Sequence, residues 1–219
     1  MELYPLLKTA HVLLLATWFG VDLGVATCGA LLRDQSFSLE TRAAFGWLRR
    51  LLDLGPQLSS LLTVPVVVAL LLVGRWTTLP PLLAPLALGA ALLVAGGWAA
   101  VTAFSLVRPS AWRAPVAMLD LLIRAGLALA FLIPALFGGF GPGWLNAKAV
   151  IFGLLLLAML WVRWVTRAAD QTLAAIVAGE ATPAREAALA AQFAALRLPV
   201  AFIWAGILVN VALAVFRVP

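Results

Sequence analysis

The stretch LYPLLKTAHVLLLATWFGVDLG, Leu3 to Gly24, decides the fold. It is an apolar run interrupted by one lysine, one histidine and one aspartate, and about 20 such residues cross the hydrocarbon core of a bilayer as a helix. At 3.6 residues per turn, Lys8, His11, Trp18 and Asp22 fall on one face of that helix. Val12, Leu13, Ala16 and Leu23 cover the opposite face. Ionisable groups are expensive in lipid and turn toward protein or a cavity. The polar stripe therefore marks the inward face.

Working outward, the rest of the chain repeats this character. It is 64% hydrophobic and 11% charged, with a mean hydropathy of +1.08, a composition that soluble domains do not reach. Six spans are expected, at 5–32, 54–75, 80–106, 116–138, 144–168 and 197–216, making residues 1–219 one integral membrane domain. Continuous apolar runs without period-two alternation predict helices, not a barrel. The expected fold is all-α, a polytopic membrane bundle. The first run reads as a span and not a signal peptide, because it is long and lacks a basic leader. Cys28 is the single cysteine, which excludes an intrachain disulfide or thiolate cluster.

The net charge of +6 follows from arginines near the span ends, and nothing suggests nucleic acid. One side of the membrane receives Arg33, Arg42, Arg49, Arg50, Arg108, Arg113, Arg163, Arg167, Arg185 and Arg197; the other receives Arg75 and Arg217. The positive-inside rule makes the arginine-rich side cytoplasmic and puts both termini in the periplasm, giving a multi-pass protein of a bacterial inner membrane. Trp47, Trp76, Trp112, Trp144, Trp161 and Trp164 read as interfacial anchors. SLETRAAFGWLRRLL, within 34–53, predicts a short amphipathic helix at the interface. Residues 167–197 predict a cytoplasmic helical hairpin, with Gly179 ending one arm and Thr182 capping the next ahead of Pro183. Pro199 is expected to kink the second arm. The connections 75–80 and 138–143 (GGFGPG at the latter) predict tight turns.

Two polar clusters are candidates for chemistry. Lys8, His11, Asn146 and Lys148 fall in the outer half, and the chain has only two lysines against thirteen arginines. Together they suit an anionic group such as a carboxylate or a haem propionate. Each lysine alone also reads as a snorkelling side chain, and His11 as a hydrogen-bonded structural histidine. In the inner half, Asp120 and Arg124 are spaced to meet across one turn, either as a helix lock or, with Asp22, as part of a proton path. LLDLGPQLSSLLTVPVVVALLLVG from Leu51 echoes MLDLLIRAGLALAFLIPALFGGFG from Met118, each with an aspartate followed by a proline three to four turns on.

The first span also resembles the start of HemJ-type protoporphyrinogen oxidases and of CopD-like membrane proteins, in its order of lysine, alanine, histidine and tryptophan. The Leu51 segment is similar to theirs at Thr63, Pro65 and Gly74, and GWLNAK at Gly143–Lys148 resembles a GWLHAK-type start of a late helix. The resemblance implies a haem b protein that oxidises protoporphyrinogen. His11 would be the iron ligand and Lys148 the essential lysine. This chain differs in having two further spans before GWLNAK and Asn146 in place of the histidine.

Three functions are thus expected. The leading one is a haem- or porphyrin-associated redox protein, with Lys148, Asp22 and Arg124 in catalytic roles and His11, Lys8, Trp18 and Asn146 holding the cofactor. The second is a transporter or channel component, with the two clusters marking a pathway. The third is an anchor whose hairpin docks a soluble partner. A homo-oligomer or partner membrane subunit stays open.

Overall fold

The computed structural model describes residues 3–76, 82–107 and 113–216, with side chains described outside 101–107, 113–114 and 216. The expected turn around Pro80 and the positions of Arg108, Trp112 and Arg217 lie outside the described residues. Among the described residues eight α-helices follow in order: α1 Leu3–Leu31, α2 Leu39–Leu52, α3 Leu54–Val73, α4 Ala84–Val107, α5 Arg113–Leu136, α6 Gly143–Ala175, α7 Pro183–Ala195 and α8 Arg197–Phe216. No strand occurs among the described residues. Among the described residues, five helical stretches are long and apolar enough to cross a membrane, containing α1, α3, α5, α6 and α8. A sixth apolar helix, α4, has described side chains over Ala84–Ala100. The chain is a multi-pass, all-α membrane protein.

The helix boundaries follow from local chemistry. Ser38 caps α2 by accepting the Thr41 amide, leaving fewer orphan donors at the first turn. Asp53 separates α2 from α3, and Pro56 just beyond it cannot donate to the carbonyl of Leu52. A wide turn at Ile176–Glu180 closes α6, and Gly179 adopts φ 93°, which residues with a Cβ avoid. Thr182 then caps α7 by accepting the Arg185 amide, and Pro183 holds its first position. The arm breaks at Leu196, where Pro199 would clash with a continuing helix.

Two compact units are present. The first contains Met1–Leu15, Leu58–Leu157 and Gly206–Pro219; the second contains Ala16–Gln57 and Ala158–Ala205. In the first, α6 approaches α5 closely at Gly153, where a Cβ would meet Leu132 Cγ at 2.6 Å and the Ala128 carbonyl at 3.0 Å.

In the second unit, Leu32, Ala169, Leu173, Ile176 and Leu189 form a core against which Phe45 and Phe193 pack. Around it, α2 turns its charges inward. Arg42 is buried; it donates from Nε to the Leu32 carbonyl at 2.8 Å and makes a bidentate pair with Glu186 at 2.7 Å. Arg49, also buried, pairs with Asp170. The exposed side of α2 mixes Glu40 and Arg50 with apolar residues, Trp47 60% and Leu51 47% exposed among them. This refines the sequence expectation: the helix is amphipathic because its arginines clasp α6 and α7.

Candidate functional site

On α1 the outward positions Val12, Leu13, Ala16 and Leu23 are exposed, as the stripe requires. The opposite face contributes Tyr4, Lys8, His11 and Leu15 to a cavity of about 120 Å³ inside the first unit. Lys148 reaches the same cavity from α6, together with Trp144, Ala149 and Phe152. Thr63, Val67 and Leu71 of α3, Phe131 of α5 and Asn210 of α8 complete much of its wall. The lone imidazole and both amines of the chain thus share one chamber.

Aromatic rings make up much of the chamber's lining. Tyr4 meets Trp76 edge-on at 5.8 Å, and Trp76 meets Trp144 edge-on at 5.6 Å. Deeper, Phe131 is edge-on to Phe152 at 5.0 Å and stacks on Phe140 at 6.3 Å. Such rings exclude water and strengthen any charge interaction within the walls. His11 Nδ1 is buried and makes no hydrogen bond among the described residues. A buried polar atom without a partner is costly, and its persistence calls for a role.

The α5–α6 turn positions one wall. Gly138 and Gly141 adopt φ 73° and 77°, so the backbone can reverse within GGFGPG. Asn146 ties the turn down: its Oδ1 accepts the Phe140 amide at 3.1 Å, and its Nδ2 donates to the carbonyls of Gly141 and Pro142. The carboxamide that sequence reading assigned to a cofactor is therefore spent on the loop, and Phe140 is what the loop presents to the chamber.

The other expected site residues lie elsewhere. Trp18 is 1% exposed and belongs to the second unit. Asp22, in that unit too, accepts from Trp204 Nε1 at 2.7 Å. Asp120 accepts from Arg124 Nε at 2.9 Å and from Trp98 Nε1 at 2.7 Å, while Arg124 also donates to Ser60. Arg124 additionally lies over the Trp98 ring, 5.1 Å from its centre. Charges so enclosed by one another form a helix lock. Among the described residues, no three His, Cys, Asp or Glu side chains gather as a metal cluster. Sequence reading missed Tyr4, Asn210 and the three phenylalanines. Asn210 alone carried a signal, as the one polar residue between Trp204 and Phe216.

No protein-family model, curated protein or solved structure matches the chain.

Proposed function

We propose that the chamber binds the anionic edge of a membrane-dissolved redox ligand of the haem or porphyrin class, in an inner-membrane protein whose two termini face the periplasm. The observation that carries this reading is the convergence of Lys8, His11 and Lys148 on one aromatic-walled cavity. Two ammonium groups neutralise two carboxylates, with Lys148 half-buried and Lys8 exposed at the edge of the chamber, so the charge-assisted bond at Lys148 is the stronger. The donor set suits a haem: His11 offers an imidazole with an unpartnered Nδ1, and the rings of Trp76 and Trp144 suit a flat apolar body. When bound, a haem or porphyrin supplies the electron-transfer chemistry. The chain itself orients the acid groups at the two lysines, excludes water with its rings, and holds or accepts a proton at His11.

Size sets one condition. A void of about 120 Å³ resembles one that takes a benzene-sized ring, roughly 150 Å³. The chamber accommodates the edge of such a ligand, and the remainder needs adjoining space.

The test is a titration of the purified full chain with haemin and, separately, with protoporphyrin. The expected result is saturable binding of both, with a shifted Soret band for haemin. His11→Ala abolishes the haemin shift while leaving porphyrin binding, and Lys148→Ala weakens both by about 10-fold to 100-fold, the loss of one charge-assisted hydrogen bond. No saturable binding of either compound refutes the assignment.

A further inference from the structure

Beside the chamber, α3, α4 and α5 enclose a second space of about 290 Å³. Its lining includes Val64, Val68, Ala87, Ala91 and Leu127, and no ionisable side chain is among the lining residues. Three residues line both spaces: Leu71, Phe131 and Phe140. The partition between them is therefore one side chain thick. On its far side, Ala90, Val94 and Ala130 form an exposed rim. In helices that cross a membrane, an exposed apolar surface of this kind meets acyl chains, not water.

Phe140 sits on the glycine turn and is half-buried, its backbone amide held by Asn146 and its ring stacked on Phe131. Leu71 and Phe131 are buried helix residues that frame it. Small residues on the groove side, Ala87, Ala91 and Ala130, leave room for a displaced ring.

We infer that the groove is the lipid-side half of the site, through which a membrane-dissolved, largely apolar ligand reaches the lysines past Leu71, Phe131 and Phe140. This inference rests on the chamber being a ligand site and deepens that reading. It names the ligand's route, and it supplies space for the apolar body that the chamber alone does not hold. The acid edge stops at Lys8 and Lys148, and the hydrocarbon part stays in the alanine-walled groove, so a ligand needs both an anionic end and an apolar body. A compact, fully hydrated anion gains nothing from this path.

The test needs no ligand. Cys28 is the only native cysteine, so a Cys28→Ser background carries a single probe cysteine, Val67→Cys on the chamber side or Leu13→Cys on the exposed face of α1. The full chain in phospholipid nanodiscs is labelled with bilayer-partitioning pyrene maleimide and, separately, with a charged water-soluble methanethiosulfonate. The inference predicts that pyrene maleimide labels Val67→Cys about tenfold faster when Phe140→Ala opens the partition, and about tenfold slower when Ala91→Phe fills the groove. Labelling of Leu13→Cys stays unchanged in both, which controls for reagent access, and an unchanged melting temperature shows that the variants fold. Rates at Val67→Cys indifferent to both changes overturn it. So does labelling by the charged reagent alone, which makes the chamber water-fed, or no labelling by either. Failure of haemin to bind would sink the cofactor assignment and leave this result standing.

Discussion

Asn146, expected beside a cofactor, is engaged by the backbone of the neighbouring turn. It stands two positions from Lys148, on the right helix and at the right depth, but its amide is turned to the GGFGPG turn. Asn146→Ala is expected to lower stability by about 1–2 kcal/mol, because turn groups lose their partners. Porphyrin affinity should stay within about threefold, in contrast to Lys148→Ala. Thermal melting and the same titration check both parts. Lys8, His11 and Lys148 were legible because ionisable groups are rare in such a sequence and lipid penalises each of them. Phe131 and Phe152 were not: a phenylalanine in an apolar span looks the same whether it meets lipid or a cavity, since helix rotation decides which.

At the scale of elements, the caps and breaks were readable because they depend on neighbours in the chain. Gly179, Thr182 and Pro183 act within one turn of themselves. The clasp between α2 and α7 was hidden because Arg42 and Glu186 are 144 positions apart. At 14 and 13 residues, each of these helices is by itself too short to cross a bilayer. The guanidinium holds the Glu186 carboxyl below its ordinary range, chiefly by hydrogen bonding. A carboxyl depressed on folding adds stability that is complete above its unfolded value, about 4.3, and is lost as pH falls through the lower folded value. Glu186→Gln should cost about 1.5–3 kcal/mol at neutral pH, the loss of its charged hydrogen bonds to the buried Arg42. It should also flatten the loss of stability below about pH 4.5 that the unaltered chain shows. Melting temperatures from pH 3 to pH 7 read this directly. An identical slope in both proteins would assign the acid sensitivity to other groups.

For the whole molecule, composition settles the helical membrane fold because lipid admits few ways to satisfy a backbone. Orientation is a separate question, which arginine placement addresses. Arg42 and Arg49 are engaged in ion pairs on α2, yet the remaining bias still favours one side. Alkaline phosphatase fused after α8 should be active, and fused within the turn at 176–182 inactive; the reverse pattern inverts the proposed topology. The inner cluster was read as one end of a proton path, but Asp120, Arg124, Trp98 and Ser60 bond to one another. What distinguishes the outer cluster is that its charges line empty space.

That distinction can be measured without any ligand by pairing Lys8→Cys with Lys148→Cys in the Cys28→Ser background and adding a short bifunctional maleimide. After cleavage at a protease site inserted in the 176–182 turn, and another between α3 and α4, the account predicts that the fragments bearing positions 8 and 148 stay joined. Fragments that separate, although each cysteine alone reacts with a monofunctional maleimide, would mean that the two amines occupy different surroundings, and the shared chamber would be contradicted.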